Sequence, residues 1–139
     1  MAMDLDRLSG GRFDLGIGAG WNADEHAMVG LDYPAYAQRL DLLDEAAAVI
    51  RALWSGEPAD HAGAHLTLER AEFHPRPPTA TPMLVMGGKG PRTLEVVARH
   101  ATEWNCSYVG IRTFRAKSAA LDDMTSLELL AAAVLPDLH

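Results

Sequence analysis

The stretch that decides the fold is "MLVMGGKGPRTL", residues 83–94. Its four apolar residues, 83–86, are typical of a short buried strand, and they end at two glycines. Pro91 suits the first position of a helix, because its fixed φ is helical and its missing N–H needs no partner there. Apolar residues then recur at helical spacing, at Leu94, Val97, Ala98 and Ala101. The stretch therefore predicts a strand that enters a helix through a glycine-rich, positively charged turn.

A second strand–helix unit precedes this one. Residues 13–17 alternate between apolar and other residues, which predicts a strand that ends at a glycine-rich turn. Asn22 is predicted to cap a short helix over 23–29. The segment 34–54 gives the clearest helix, with Pro34 in its first turn. Its apolar stripe contains Tyr36, Leu40, Leu43, Ala47, Ile50 and Trp54.

A third unit follows, after an irregular insertion. Residues 57–82 contain five prolines and no helical stripe, with a small strand or hairpin predicted over 62–69. Residues 102–109 predict a third strand, and Thr113 is predicted to cap the next helix. Helical spacing also occurs over 125–135. Strands that alternate with helices predict an α/β fold with parallel strands and right-handed crossovers.

Composition limits the classes of function. The chain has 139 residues, of which 48% are hydrophobic and 22% charged, which suits one domain over 1–139. The net charge of −7 argues against binding to nucleic acid or to an anionic membrane. The one cysteine, Cys106, excludes an intramolecular disulfide and fits a reducing compartment. With no secretory signal at the N-terminus and no run of ~20 apolar residues, a cytoplasmic location is expected.

The turn after residue 86 has the properties of an anion site. Glycines let backbone amides approach a phosphate closely, and the free amides and dipole of the following helix attract negative charge. The spacing fits neither a P-loop nor the dinucleotide fingerprint. A tight turn with solvated charges remains the alternative. The candidate phosphate-binding residues are Gly87, Gly88, Lys89, Gly90, Arg92 and Thr93.

A second glycine-rich turn follows the first strand. Gly18 and Gly20 would let a flat ring lie against the backbone, with Trp21 as a wall. The alternative is a tight turn with Trp21 in the core. Because parallel strands have their carboxyl ends at one edge of a sheet, both glycine turns are expected at that edge.

Three other positions carry weaker signals. His61 and His65 have metal-ligand spacing only if they are helical, and Gly63 between them suggests a loop, so no metal site is expected. His26 is either a general base or a surface histidine. Cys106 is expected to be an inert thiol, because no histidine is close in sequence.

Four segments in unbroken order resemble the luciferase-like flavin monooxygenase family, in particular the branch that uses the deazaflavin coenzyme F-420. They cover about residues 5–122 of the chain. The segments are "LSGGRFDLGIGAGWNADEH", "RLDLLDEAAAVIRALWSGEP", "FHPRPP" and "PMLVMGGKGPRTLEVVARHATEWN".

The resemblance implies part of a (β/α)8 barrel, with the three strands as its fourth, fifth and sixth. It implies F-420 or FMN as cofactor and a small-molecule substrate, and leaves the catalytic acid or base unknown. The phosphate side of the cofactor is expected at Gly87, Gly88, Lys89, Gly90 and Thr93. The ring system and substrate are expected to meet at Gly18, Gly20 and Trp21.

The chain also departs from the family. A barrel of this type needs about 250 residues, and the resemblance fades after Asp123. A truncated enzyme, weakly active or inactive alone, is therefore expected, and unpaired sheet edges predict a homodimer or larger homo-oligomer. Two alternatives are a non-catalytic, self-associating remnant and a small α/β module that binds a phosphate ligand.

Overall fold

A computed structural model describes residues 1–75, 82–106 and 109–124 of the protein. Within these ranges the helices are α1 (Ala2–Ser9), α2 (Ala23–Met28), α3 (Tyr36–Trp54), α4 (Pro91–His100) and α5 (Ile111–Met124). The strands are β1 (Leu15–Ile17), β2 (Ala59–Ala62), β3 (Thr67–Ala71), β4 (Leu84–Gly87) and β5 (Glu103–Asn105).

A parallel sheet of three strands organises the fold. Its order is β1-β4-β5, with Ile17 opposite Met86 and Gly87 opposite Asn105. The middle strand is buried, with Leu84 1% exposed and Met86 fully covered. Helices lie between successive strands of this sheet, as in other parallel α/β proteins. The predicted α/β class with parallel strands is confirmed.

Helix α3 covers the sheet with one apolar face. Leu40, Leu43, Ala47 and Trp54 belong to the main core cluster. Tyr36 does not follow the predicted stripe, because it is the first residue of the helix and is 49% exposed. The helix thus begins two residues after Pro34, with the amide of Ala35 donating to the side chain of Gln38 at 3.2 Å.

Helices α3 and α4 are joined by charged pairs along their length. His100 Nε2 lies 2.6 Å from one oxygen of Asp44, and Arg99 Nη1 lies 2.9 Å from the other. Closer to the start of both helices, Arg92 Nη2 lies 3.0 Å from Asp41. These contacts link the two helices at their surface.

The insertion forms the predicted hairpin from β2 and β3, which pair antiparallel. Its turn rests on α3, where the Glu45 carboxylate accepts hydrogen bonds from the amides of Ala64, His65 and Leu66 at 2.8 to 3.2 Å. His61 lies in strand β2, so the helical metal-ligand spacing with His65 does not occur.

Several predicted boundaries need correction. The first strand begins at Leu15 and not at Phe13, and the third runs over Glu103–Asn105; of the predicted 102–109, residues 107–108 lie outside the described residues. Thr113 lies inside α5 and does not cap it, because the Phe114 amide already donates to the Gly110 carbonyl at 3.0 Å.

The ends of the chain add two observations. Helix α1 was not predicted, yet its Met3 is fully buried in the core. The predicted helix over 125–135 lies outside the described residues. Among the helices of the described ranges, none has the length and apolar character needed to cross a bilayer.

Candidate functional site

The two glycine turns meet at the carboxyl edge of the sheet. Because β1 and β4 are parallel neighbours, the turns that follow them leave the sheet side by side. Between them lies a pocket of about 540 Å³, termed here the glycine pocket, which is in the size range of small-molecule sites. Its lining residues are Gly18, Ala19, Gly20, Trp21, Tyr36, Gly87, Gly88, Lys89, Gly90, Thr93 and Asn105.

Eight of the nine predicted site residues therefore line one pocket, and Arg92 is the exception within the described ranges. Arg92 is exposed, and its guanidinium pairs with Asp41 of α3. Three lining residues, Ala19, Tyr36 and Asn105, were missed as site residues. Tyr36 was assigned to an apolar stripe, Ala19 lies between the two predicted glycines of the first turn, and Asn105 falls within the predicted third strand.

The turn after β4 requires glycine at residue 88. Gly88 has a φ of +140°, and a Cβ there would collide with Cγ2 of Thr93. Its amide donates to the Asn105 carbonyl at 3.2 Å, which ties the turn to the end of β5. Any larger residue would move the turn away from Thr93 and change the shape of the pocket floor.

Two carbonyls of this turn are engaged by donors from outside it. Trp104 Nε1 donates to the Gly88 oxygen at 2.8 Å, and Lys117 Nζ donates to the Lys89 oxygen. In a planar trans peptide the N–H points opposite to the C=O. The amides of Lys89 and Gly90 are thus directed away from these donors, an arrangement that suits anion binding.

Helix α4 begins at the same place. Gly90 is its N-cap and no side chain of the described residues caps it, so its first-turn amides are available to a ligand. The positive end of the helix dipole adds attraction for an anion. Thr93 is 3% exposed, and its Oγ1 lies 2.6 Å from the hydroxyl of Tyr36.

The turn after β1 forms the opposite wall. Gly20 has a φ of +73°, which favours glycine. Trp21 is 83% exposed, so the alternative that placed it in the core is wrong. Asn22 caps α2 as predicted, since its side chain accepts from the amides of Asp24 and Glu25 at 3.1 and 3.4 Å.

His26 belongs to a cluster that holds this turn. Its Nδ1 lies 2.8 Å from the Asn22 carbonyl, and its ring contacts Tyr33 edge to face. The Arg39 guanidinium lies 3.9 Å from the centre of the Tyr33 ring, and its Nε donates to the Ala19 carbonyl at 3.1 Å. His26 lines an adjoining groove of about 790 Å³ beside α3, which shares Gly18, Ala19 and Gly20 with the glycine pocket, and His26 itself does not line that pocket.

Cys106 follows β5 at the same edge of the sheet. Burial raises the pKa of its thiol, and the opposing influence of Lys117 and Lys89 does not cancel this effect. The group is thus a protonated thiol at neutral pH and a poor nucleophile. Across residues 1–75, 82–106 and 109–124, the structure contains no group of three His, Cys, Asp or Glu residues arranged to hold a metal.

A parallel α/β sheet with a glycine-lined pocket at its carboxyl edge defines the class of small-molecule-binding α/β proteins. Residues 1–126 match the luciferase-like monooxygenase family, and the chain belongs to that family. It is 33% identical over 104 residues to the pyrimidine monooxygenase RutA of Acinetobacter baylyi, covering 73% of this chain and 28% of that protein.

Solved structures share the fold. An F-420-dependent secondary alcohol dehydrogenase, in complex with an F-420–acetone adduct, superposes with a TM-score of 0.68 at 24% identity, covering 87% of this chain and 39% of that one. The riboflavin lyase RcaE, with modified FMN and riboflavin, gives 0.75 at 20% identity, covering 88% and 32%. The chain thus spans between 28% and 39% of the length of these proteins.

Proposed function

We propose that the glycine pocket binds the phosphate-bearing cofactor of a luciferase-like oxidoreductase, F-420 or FMN, beside a small-molecule substrate. The observation that carries the proposal is the convergence of two glycine turns and the uncapped start of α4 on one pocket. Two of the similar solved structures hold an F-420–acetone adduct and modified FMN, which supports the same assignment.

The residues present fit a phosphate. Gly88 leaves space that a Cβ would fill, and the carbonyls of Gly88 and Lys89 are already occupied by donors. The remaining donors are the amides of the turn and of the first turn of α4, with the Lys89 ammonium adding a full charge. Such donors stabilise an anion without being reorganised when it binds.

The opposite wall suits a flat ring system. Gly18 and Gly20 offer a backbone surface without side chains, and the Trp21 indole is open to a ligand. When bound, a deazaflavin or flavin supplies the hydride chemistry, and the protein binds and orients it. Within the described residues, the chain's part in the reaction is to hold the phosphate and one side of the ring. We assign no catalytic acid or base.

We further propose that β1, β4 and β5 correspond to the fourth, fifth and sixth strands of a (β/α)8 barrel, and that this chain alone is weakly active or inactive. In the described sheet, β1 and β5 each have one edge without a partner strand. Such edges favour association with another chain. The alternatives are a self-associating remnant without activity and a module that binds a phosphate ligand only.

The oligomeric state has a direct test. We expect a homodimer or larger assembly, and light scattering at micromolar concentrations measures it. A 15.0 kDa particle at every concentration would contradict self-association.

Cofactor titration tests the proposed function itself. Purified chain is titrated with FMN and with F-420, following ligand fluorescence. We expect saturable binding that Gly88→Asp removes, because the new side chain would meet Thr93 and place a negative charge beside the phosphate. Gly110→Asp is the matched control, since a Cβ there meets no atom of the described residues within 4 Å. If neither cofactor binds the unmodified chain, the proposed function is wrong.

A further inference from the structure

We propose that Tyr36 is a positioning residue that orients the Thr93 hydroxyl toward a bound phosphate. The inference rests on the proposed function, because it assumes a phosphate in the glycine pocket. It adds a role for a side chain that comes from α3, 57 residues away in sequence from its partner.

The two hydroxyls are within strong hydrogen-bonding distance. Tyr36 Oη and Thr93 Oγ1 are separated by 2.6 Å, at the short end for a bond between hydroxyls. Both residues line the glycine pocket. A Cβ at Gly90 would lie 2.9 Å from Tyr36 Oη and 3.5 Å from Thr93 Oγ1, so the pair sits directly against the N-cap of α4.

The number of available protons indicates which of the two hydroxyls donates in their hydrogen bond. Each hydroxyl has one proton to donate, and their mutual hydrogen bond uses one of the two. A phosphate oxygen can only accept, so the remaining proton is the one available to it. Thr93 is buried at the start of α4, beside the free amides. If Tyr36 accepted from Thr93, the threonine proton would be turned away from those amides. We therefore assign Tyr36 as the donor to Thr93, which leaves the Thr93 proton for the phosphate.

Tyr36 lies on a helix that contacts the helix of Thr93. It is the first residue of α3, and that helix is joined to α4 through Asp41 and Asp44. Thr93 lies on α4 itself. The two hydroxyls are thus carried by two neighbouring helices and not by a loop. Without the Tyr36 hydroxyl, Thr93 would be free to turn its proton to a carbonyl of the preceding turn, as helical threonines do.

The chemical consequence is selectivity for a phosphorylated ligand. FMN and riboflavin have the same ring system and differ at the phosphate. Tyr36→Phe keeps the aromatic ring and removes only the hydroxyl. We expect it to weaken FMN binding about tenfold, the size typical of one hydrogen bond to a charged group, and to leave riboflavin binding unchanged.

A double-mutant cycle separates positioning from direct contact. Tyr36→Phe, Thr93→Val and the double variant are titrated with FMN and with riboflavin. If Tyr36 acts through Thr93, its substitution has no further effect once Thr93 is valine. Tyr33→Phe is the matched control, because it keeps the ring that contacts His26 and Arg39 and removes only a hydroxyl of a residue that does not line the glycine pocket. Circular dichroism of each variant checks that the fold is retained.

Four results would overturn the inference. Equal loss of FMN and riboflavin affinity in Tyr36→Phe would show a general effect on the pocket. Additive losses in the cycle would show that Tyr36 acts independently of Thr93. Unchanged FMN affinity in Tyr36→Phe, with normal binding by the unmodified chain, would refute the role of Tyr36 while leaving the proposed function intact. Absence of FMN and F-420 binding by the unmodified chain would refute both.

Discussion

The indole of Trp104 donates to the carbonyl oxygen of Gly88 at 2.8 Å, so a core side chain fixes the floor of the glycine pocket. Trp104 is 4% exposed and stacks on Phe114 of α5, with ring centres 5.4 Å apart. The packing between β5 and α5 is thereby connected to the orientation of a peptide group in the site. Stability and ligand binding are therefore expected to change together when this contact is removed.

Trp104→Phe tests this connection. The variant keeps an aromatic ring against Phe114 and leaves the Gly88 oxygen without its donor, which we expect to cost about 1–3 kcal/mol of unfolding free energy. FMN affinity should fall as well, because the peptide between Gly88 and Lys89 is then free to rotate. Urea unfolding and FMN titration measure the two effects.

The control for this prediction is Trp54→Phe. Trp54 is 5% exposed in the same core but is absent from the lining of the glycine pocket, so its loss should lower stability with FMN affinity preserved. An equal loss of affinity in both variants would mean that affinity only follows stability.

Substitutions of Lys89 and Arg92 are expected to affect FMN binding differently, although the sequence made both of them candidate phosphate-binding residues. Lys89 lines the pocket, and Lys89→Ala should weaken FMN binding by about 1 kcal/mol through the loss of its charge. Arg92 pairs with Asp41 at the surface, so Arg92→Ala should change affinity little and stability by less than about 1 kcal/mol. FMN titrations at low and high salt measure the affinity of both variants. A larger effect of Arg92→Ala than of Lys89→Ala would contradict this arrangement.

The contrast between these two cations shows where sequence reasoning succeeds. A strand, a glycine turn and a proline-led helix are local signals, and parallel pairing then brings both turns to one edge. The direction of Arg92 depends instead on Asp41, 51 residues away, which no local pattern contains. Tyr36 was misassigned for a related reason. The helical period predicts on which side of the helix a residue lies, but it does not predict whether that part of the helix still packs on the core.

Glu45 should make stability depend on pH through the hairpin. Burial alone raises the pKa of its carboxyl group, but hydrogen bonds from the amides of His65, Leu66 and Ala64 outweigh burial and hold the pKa below 4.5. A lowered pKa in the folded state means that the ionised group stabilises the fold. This contribution is complete above pH 4.5 and is lost as pH falls through the folded-state pKa.

Glu45→Gln is the variant that isolates this effect. It should lower stability at neutral pH, and its difference from the unmodified chain should shrink as the pH falls below 4.5. Urea unfolding across that range measures the difference, and proteolysis of the 62–67 turn reports on the hairpin itself. Glu69→Gln, at an exposed position of β3, is the control. A pH-independent difference for Glu45→Gln would show that charge is not the cause.

The isolated chain is expected to bind cofactor without sustained turnover. Hydride transfer requires donor and acceptor atoms held about 3–3.5 Å apart in fixed orientation. Within the described residues, the glycine pocket has one wall from each glycine turn, and the sheet edges at β1 and β5 have no partner strand to extend the enclosure. Water is then poorly excluded, and most of the positioning is lost.

The measurement mixes purified chain with reduced F-420 or reduced FMN and a panel of carbonyl and enone acceptors, and follows cofactor oxidation. Oxidation should stay close to the protein-free rate while titration still shows binding. Sustained oxidation well above that rate, abolished by Gly88→Asp and preserved in Gly110→Asp, would establish that three parallel strands suffice for a working enzyme.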